Sequence, residues 1–328
     1  MQKKSLITGI SGQDASYLAE LLLSKNYEVH GLLRRVAIEN QEERLSRINH
    51  IKDKIKFHYG TLESYPRLCE IIEEVKPDEC YALAANSFVQ VSFEDEFSTM
   101  NTNVNGTHYL LSAIKRYAPK CKIYLACSSE IFGKVHEIPQ TEKTPFHPRS
   151  IYGISKVTDF YLGQYYREAY NMFVCSGLLF NHCSQRRGLE FVTRKITNAV
   201  AKIKLGKQKE LRLGNIEAKR DWGHSKDFVE AQWLMLQQDR PDDFVIATNE
   251  THTVKEFLEE AFSYVGLNWK DYVVIDPKFY RPAEVDILIG DYSKAKNILG
   301  WGPKIKFKEL VRMMVDNDLK IEKNKIKQ

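Results

Sequence analysis

The sequence predicts an α/β fold with a Rossmann-type, doubly wound parallel sheet and a smaller, interleaved C-terminal substrate-binding domain. Three observations support this. Through residues 1–182, short apolar segments alternate with amphipathic ones, as strands and crossover helices do in parallel sheets. A glycine-containing turn, ITGISGQDA, follows the first apolar segment. After residue 182 the segments become shorter, more basic and more loop-like. We therefore expect a nucleotide-binding domain over 1–182 and a mainly substrate-binding domain over 183–328.

Each element of the first domain has its own signal. The segments expected to be strands are KSLITG at 4–9, EVHGLL at 28–33, KIKFHYG at 54–60, ECYALAA at 79–85, KIYLACSS at 122–129 and FVCSGLLF at 173–180. Apolar residues at helical spacing predict helices over 16–25, 41–51, 65–75, 98–117 and 150–170. The later segment DDFVIAT, at 242–248, also has strand composition and is expected to return to the first sheet.

Composition excludes several classes of function. Of the 328 residues, 43% are apolar and 28% are charged, which is typical of a globular protein. The net charge of +5 is spread along the chain, so it does not indicate nucleic-acid binding and fits a binder of phosphorylated small molecules equally well. No nucleic-acid partner is expected. Six cysteines without a CxxC pair indicate reduced core thiols, and no metal site is expected. The chain has no apolar run of about 18 residues and opens directly on a strand-like segment. We therefore expect no membrane span or signal peptide and a cytoplasmic protein.

The turn after the first strand suits a dinucleotide. Gly9 and Gly12 let backbone amides approach a pyrophosphate, and the following helix N-terminus adds partial positive charge. About 20 residues further on, an NAD enzyme would carry an acidic residue for the ribose. This chain has Arg34 and Arg35 there. Two guanidinium groups favour the 2′-phosphate of NADP, unless both side chains face solvent.

A candidate catalytic group lies in the second half of this domain. Ser128 ends a predicted strand, and Tyr152 and Lys156 are spaced i, i+4 on the following helix, so they share one helix face. A neighbouring ammonium and a nicotinamide cation would lower the pKa of Tyr152 and let it act as a base. Glu130, two residues after Ser128, is either a second acid/base or a surface turn residue.

These residues resemble those of the extended short-chain dehydrogenase/reductases and, within them, the GDP-mannose 4,6-dehydratases. The resemblance covers nearly the whole chain and rests on TGISGQDASYLAELLL, HGLLRR, SSEIFGKVHEIPQTEKTPFHPRS, RRGLEFVTRKI, LGNIEAKRDWGHSKDFVEA and FYRPAEVDILIGDYSKAKNILGW. It implies a lyase in which Tyr152 removes the O4 proton while the C4 hydride moves to NADP. Glu130 would then take the C5 proton and help water leave from C6. The hydride would return to C6, which regenerates tightly bound NADP at each turnover.

The same resemblance implies two sets of binding residues. Cofactor contacts are expected from Gly9, Gly12, Gln13, Asp14, Arg34, Arg35, Leu62, Leu83, Ala84, Ala85, Tyr152, Lys156 and His182. Substrate contacts are expected from Ser87, Glu130, Asn181, Val192, Lys195, Gly214, Arg220, Arg281 and Glu284. Arg220 and Arg281 suit bidentate contacts with a diphosphate, although a structural ion pair is the alternative for either.

The chain departs from the family pattern near the expected sugar pocket. Cys183 and Gln185 stand where the family usually has glutamate and proline. The lost charge and volume at Cys183 lead to the hypothesis that the pocket admits GDP-D-glycero-D-manno-heptose, whereas GDP-mannose is the alternative. The catalytic residues do not distinguish these sugars, because both need the same chemistry at C4, C5 and C6. A 6-deoxy-4-keto product would be a precursor for surface polysaccharide.

The resemblance also implies a homodimer, formed through the helices near 97–116 and 150–170, or a homotetramer formed through the loop from Arg34 to Arg47. Val36 and Ala37 replace the usual serines of that loop, which leaves the two states open.

Two other functions fit the same scaffold. An epimerase or 4-keto reductase would lack the acid at Glu130, and a non-catalytic NADP-sensing protein would lack Tyr152 or Lys156. All three residues are present, which favours the dehydratase.

Overall fold

The structure, a computed structural model, describes residues 2–35, 44–280 and 282–325. The first six strands in this part of the chain are β1 Lys4–Thr8, β2 Glu28–Leu33, β3 Ile55–Tyr59, β4 Glu79–Ala82, β5 Lys122–Ser128 and β6 Val174–Leu179. Shorter strands follow as β7 Asn181–Cys183, β8 Leu211–Leu213, β9 Lys219–Arg220, β10 Trp222–His224, β11 Phe244–Ile246, β12 His252–Thr253 and β13 Val273–Ile275.

The helices in the described ranges are α1 Gln13–Ser24, α2 Tyr65–Val75, α3 Val91–Glu94, α4 Glu96–Met100, α5 Gly106–Tyr117, α6 Ile151–Tyr170, α7 Val192–Lys204, α8 Ser225–Leu236, α9 Val254–Tyr264, α10 Ser293–Leu299 and α11 Phe307–Asn324. A π-helical turn, Asn101–Asn105, joins α4 to α5, and short 3₁₀ turns occur at Lys52–Lys54, Ser129–Ile131, Trp269–Asp271 and Pro277–Phe279. No helix in this part of the chain combines the length and apolar character needed to cross a bilayer.

The central sheet has seven strands in the order β11-β6-β5-β4-β1-β2-β3, and every pairing within it is parallel. The predicted doubly wound α/β class is therefore confirmed. The strand order reverses between β1 and β4, and at such a point the carboxyl ends of the strands open a crevice that binds ligands. Residues 242–248 were expected to return a strand to this sheet, and β11 within that range pairs with β6 at one edge of the sheet.

Both faces of the sheet are covered, and a second packing centre lies outside it. Ile7 and Leu6, adjacent on β1, contribute to separate apolar clusters, because successive side chains of a strand point to opposite faces. A further cluster is built from residues after position 182, including Phe257 and Met314. Helix α8 packs against α1, so the C-terminal half also contributes to the first core. The division at residue 182 stays a prediction.

The helix predicted over 41–51 is helical at residue 44 but wrong for residues 45–51. Residues 45–51 form consecutive turns in which the amides of Ile48 and Ile51 donate to the carbonyls three residues earlier. Leu45, Ile48 and Ile51 all pack on the core around β1 and β2. Their spacing of three residues matches the period of a 3₁₀ turn rather than that of an α-helix. Residues 41–43 lie outside the described residues.

Asp221, between β9 and β10, ties three distant segments together. Its buried carboxylate accepts hydrogen bonds from the amide and hydroxyl of Thr248 and from the amides of Asn249 and Gly290. An asparagine there would turn an amide group toward donors that need an acceptor. We expect Asp221→Asn to lower the free energy of unfolding by about 2–3 kcal/mol, measured by urea denaturation. The exposed Asp239→Asn is the control, and equal stability of the two variants would contradict the assignment.

Candidate active site

A cavity of about 800 Å³ opens at the carboxyl ends of β1, β4 and β5. One wall comes from the turn after β1, the segment after β4, the end of β5 and the first turns of α6. The opposite wall comes from β7, the N-terminus of α7 and the segment that follows β8. The cavity therefore lies between the central sheet and the second packing centre, at the strand-order reversal described above.

The turn after β1 can accept an anion at close range. Gly9 has a φ of +69°, and a Cβ on it would lie 3.0 Å from the Cα of Ala84. Gly12 is the N-cap of α1 in an extended conformation, and no side chain caps the helix. No capping side chain accepts a hydrogen bond from the first backbone amides of α1, so these amides can donate to a ligand in the cavity. This is the local geometry with which a helix N-terminus binds a pyrophosphate.

Asp14 and His182 connect α1 to β7 at the same end of the cavity. The Asp14 Oδ2 lies 2.6 Å from the His182 Nε2, and the Nδ1 of the same ring lies 2.8 Å from the carbonyl oxygen of Phe180. Burial opposes ionisation of Asp14, but His182 and the more distant Arg187 hold its pKa below the ordinary value. The pair fixes the orientation of a ring that lines the cavity.

Local structure brings Ser128 and Glu130 to the cavity. The 3₁₀ turn that follows β5 begins at Ser128, whose Oγ accepts a hydrogen bond from the Glu130 amide at 3.3 Å. Glu130 is only 7% exposed, and its side chain lines the cavity. A Cβ on Gly153 would lie 2.8 Å from the Glu130 carbonyl oxygen, so α6 can approach this turn because position 153 is glycine. Glu130 is therefore a wall residue rather than an exposed turn residue.

The first turn of α6 positions the other two candidates. Ser150 caps the helix by accepting a hydrogen bond from the Gly153 amide at 3.0 Å. Tyr152 and Lys156, 8% and 5% exposed, both line the cavity, and the Lys156 Nζ lies 6.0 Å from the centroid of the Tyr152 ring. Burial raises the pKa of Tyr152, whereas Lys156 and Ser128 oppose that rise. The catalytic group predicted from the sequence thus shares one wall with Glu130.

Cationic groups lie on the substrate side. Helix α7 begins at Val192 without a side-chain cap, and Lys195 in its first turn lies over the ring of Phe279 with its Nζ 3.9 Å from the centroid. Burial lowers the pKa of Lys195. Arg220 is buried and donates to the carbonyl oxygen of Val285 at 2.7 Å. An uncapped helix N-terminus beside a lysine and an arginine suits a second anionic group.

Most of the residues predicted for the site meet at this cavity. They are Gly9, Gly12, Gln13, Asp14, Leu83, Ala84, Ala85, Ser87, Ser128, Glu130, Tyr152, Lys156, Asn181, His182, Val192, Lys195, Gly214, Arg220 and Glu284. Their individual roles stay predictions.

Three others lie elsewhere, and one cannot be placed. Leu62 is buried in the apolar cluster with Leu6 and Leu32, so the structure does not bring it to the cavity. Arg34 and Arg35 follow β2 and are exposed, with the Arg35 guanidinium 5.1 Å from the centroid of the Tyr59 ring. Arg281 lies outside the described residues.

The sequence reasoning missed two residues of this region. Arg187 lines the cavity with its guanidinium carbon 3.6 Å from the centroid of the Phe191 ring, and its buried Nε has no partner among the described residues. Asn103 lies in the π-turn, where its Nδ2 donates to Ser155 Oγ at 3.0 Å and its Oδ1 accepts from the Asn86 amide at 2.8 Å. The two adjacent arginines in SQRRG could have indicated an anion-binding role for Arg187. The periodicity of apolar residues gave no indication of the π-turn that contains Asn103.

That π-turn also interrupts the helix predicted over 98–117. A single helix was expected there, but α4 and α5 are separated by Asn101–Asn105. The wider turn lets the buried Asn103 side chain reach both the segment after β4 and helix α6. Such π-turns inside α-helices are frequent at functional sites.

Cys183 lies where the sequence placed it, in the cavity wall. It is buried in β7, and its Sγ lies 3.1 Å from the Thr193 Oγ1 at the start of α7. Burial raises the pKa of the thiol, so at neutral pH the side chain is a small neutral group. It therefore brings no charge to this part of the cavity.

Comparison with known proteins points to the same family. The family model for GDP-mannose 4,6 dehydratase matches residues 6–314. GDP-mannose 4,6 dehydratase 1 of Arabidopsis thaliana is 52% identical over 98% of this chain and 91% of its own length. The GDP-mannose 4,6 dehydratase of Homo sapiens is 49% identical, covering 97% and 91%, and that of Vibrio cholerae is 46% identical, covering 98% and 95%.

Solved structures share the architecture. The UDP-glucose 4-epimerase of Thermus thermophilus, in complex with NAD, aligns with a TM-score of 0.84 at 25% identity over 96% of this chain and 98% of its own. The dTDP-glucose 4,6-dehydratase of Bacillus anthracis aligns with a TM-score of 0.83 at 24% identity over 98% of each chain. A sequence identity this low supports a shared fold and nothing more specific. With the family match and the relatives at about half identity, the chain belongs to the GDP-mannose 4,6-dehydratase family of extended short-chain dehydrogenase/reductases.

Proposed function

We propose that the protein is an NADP-dependent GDP-sugar 4,6-dehydratase, a hydro-lyase that converts a GDP-sugar of manno configuration to its 4-keto-6-deoxy product. One observation carries the proposal. A buried carboxylate, Glu130, lines the same cavity as Ser128, Tyr152 and Lys156. A plain alcohol dehydrogenase needs one acid/base, whereas elimination of water needs a second.

The nucleotide end of the cavity fits the cofactor. The close approach at Gly9 and the uncapped N-terminus of α1 suit its pyrophosphate. Arg34 and Arg35 at the end of β2 are both exposed and lie outside the cavity, which is the alternative that the sequence left open. The proposal of NADP over NAD therefore rests on the charge of two guanidinium groups that a 2′-phosphate could meet at the solvent-facing edge of the site. When bound, NADP would supply a hydride acceptor for C4 and return the hydride at C6, so the reaction has no net oxidation.

The chain's own residues would move the protons. Tyr152, as a phenolate stabilised by the Lys156 ammonium and the Ser128 hydroxyl, would accept the proton of the sugar O4. The resulting 4-ketone acidifies C5–H, and Glu130 would accept that proton. The same carboxyl would then protonate the departing C6 hydroxyl, so that water leaves and Glu130 returns to its carboxylate form. When the hydride returns to C6, C5 regains a proton, and the proton that Tyr152 took from O4 balances it, so that Tyr152 returns to its phenolate form.

The GDP diphosphate would bind on the opposite wall. Lys195, Arg220 and the first amides of α7 offer donors there. Arg187, with a buried Nε that lacks a partner among the described residues, lies between this wall and α1 and could reach an anion on either side. These contacts would hold the sugar against Tyr152 and Glu130.

The direct test is an assay of the purified protein with GDP-mannose and GDP-D-glycero-D-manno-heptose in parallel, read by mass spectrometry. The proposal expects a product lighter than its substrate by one water, with no net change in the nicotinamide redox state. A product of unchanged mass would favour the epimerase. No product from either sugar would overturn the proposal.

We further propose that the manno-heptose is the preferred sugar, because the small neutral Cys183 lies in the cavity wall. Cys183→Glu should shift the ratio of kcat/KM values toward GDP-mannose by about tenfold, which is the discrimination that modest pocket changes achieve. Cys69→Ser, away from the cavity, is the control. An unchanged ratio in a folded Cys183→Glu variant would contradict the link between this residue and the sugar.

For the assembly, we propose a homodimer formed through the helical segment near 97–116, which comprises α4, the π-turn and α5, and through α6. Helix α6 leaves Ile154, Tyr161 and Tyr165 exposed along its length, which is an unusual amount of apolar surface for one helix. Light scattering would give the mass in solution, and Tyr161→Glu together with Tyr165→Glu should yield monomers. A wild-type monomer would contradict the proposal, and a tetramer would require a second interface.

A further inference from the structure

Helix α6 carries a buried carboxylate directly behind the candidate catalytic lysine. The Asp159 Oδ2 lies 3.0 Å from the Lys156 Nζ, three residues away along the helix. Asp159 is 2% exposed and Lys156 is 5% exposed. Lys156 lines the cavity, whereas Asp159 does not. The ammonium therefore lies between a buried carboxylate on one side and the cavity on the other.

The rest of the Asp159 environment makes Lys156 its principal partner. The buried Oδ1 of Asp159 accepts no hydrogen bond among the described residues. The groups that face the pair from neighbouring elements are the Cys127 thiol on β5 and the Thr107 hydroxyl on α5. Buried ion pairs of this kind are often no better for stability than apolar residues of the same volume. The pair therefore calls for a functional explanation.

We propose that Asp159 is a positioning residue for the dehydratase reaction, which holds the Lys156 ammonium charged and in place beside Tyr152. This inference rests on the proposed function, since it assigns Lys156 and Tyr152 their roles there. One N–H of the ammonium donates to Asp159, which orients the others away from that carboxylate. Asp159 would act through Lys156 without touching the substrate.

The electrostatics give the proposal a measurable sign. Burial disfavours the ammonium, but Asp159 and then Tyr152 raise the pKa of Lys156 above its ordinary value. Around Tyr152, burial raises the pKa, Lys156, Ser128 and Arg187 lower it, and Glu130 raises it. A carboxylate 3.0 Å from the ammonium also offsets part of the field that Lys156 exerts on Tyr152. Asp159 thus keeps Lys156 charged but weakens its effect on the phenol.

Removing that charge should therefore move both limbs of the pH–rate profile in one direction. In Asp159→Asn, Tyr152 feels an uncompensated ammonium, so its pKa falls and the acid limb of kcat moves to lower pH. Lys156 loses its counter-ion, so its pKa also falls and the alkaline limb moves to lower pH. We expect each limb to shift by about one pH unit, and Asp159→Glu should restore most of the wild-type profile.

A matched control separates positioning from stability. Asp243 is another buried carboxylate, paired with Arg167 and away from the cavity. Asp243→Asn should lower the melting temperature and leave both limbs where they are. Unshifted limbs in folded Asp159→Asn and Asp159→Ala variants would overturn the proposal. If both neutral variants fail to fold while Asp159→Glu folds, the pair is a folding requirement and the proposal also falls.

A second readout does not depend on turnover of a GDP-sugar. NADPH binding, followed by its fluorescence between neutral and alkaline pH, reports the charge on Lys156. We expect Asp159→Asn to lose several-fold more affinity over this range than the wild type. If the wild type consumes no GDP-sugar, the proposed function fails, and the pH dependence of NADPH binding alone tests whether Asp159 controls the charge of Lys156. The same pH dependence in wild type and variant would then overturn the role of Asp159.

Discussion

Replacing Glu130 by glutamine is expected to stop the reaction after the oxidation at C4. The glutamine amide cannot accept the C5 proton. Ser128, Tyr152 and Lys156 should remain in place, because the substitution keeps the hydrogen bond from the backbone amide of residue 130 to the Ser128 Oγ. We expect kcat for dehydration to fall by about 10³-fold. Since the first step does not need Glu130, reduced nicotinamide should accumulate and show its near-ultraviolet absorbance.

The control for this prediction is Glu94→Gln, because Glu94 is an exposed carboxylate on the rim of the same cavity. That variant should dehydrate the substrate at close to the wild-type rate. The role of Glu130 would be refuted by a Glu130→Gln enzyme that releases water normally. Loss of activity without reduced nicotinamide would instead place Glu130 in the first step.

Tyr152→Phe is expected to abolish the first step itself. The ring remains to fill its site, but no phenolate is available to accept the O4 proton. We expect kcat to fall by about 10³-fold or more, with no reduced nicotinamide formed, in contrast to Glu130→Gln. NADPH affinity, measured by fluorescence, should change far less than kcat, because Lys156 and the turn at Gly9 and Gly12 are left intact.

Tyr161→Phe on the exposed face of the same helix is the matched control and should retain full activity. Substantial C4 oxidation by Tyr152→Phe would show that another group is the base. Together, the two variants separate the oxidation from the elimination, which a single rate measurement cannot do.

Much of the site follows from local sequence patterns. The strand–turn–helix pattern around Gly9 and Gly12 predicts the anion-binding turn, since only nearby residues create it. Ser128, Glu130, Tyr152 and Lys156 lie between the end of β5 and the first turns of α6, and the structure places all four on one cavity. The fold class followed from the same alternation of strands and helices.

Interactions between distant segments were beyond the sequence reasoning. The turns at Leu45, Ile48 and Ile51 carry apolar residues that fit either an α-helix or a 3₁₀ turn, and packing on the core selects the latter. The π-turn at Asn101–Asn105 depends on partners supplied by the segment after β4 and by α6. The partners of Asn103, which are Asn86 and Ser155, are both far from it in sequence.

The sequence by itself determined the parallel α/β class, because that class depends on a local period. Short spacings predicted the nucleotide-binding turn and the group of Ser128, Tyr152 and Lys156, whereas the role of Glu130 followed from the family resemblance. Tertiary structure alone decided that Leu62 belongs to the core, that Arg187 reaches the cavity and that Asp159 serves as the buried counter-ion of Lys156. Burial and charge pairing depend on which segments the fold brings together. A carboxylate three residues after a lysine becomes a buried ion pair only when β5 and α5 pack over it.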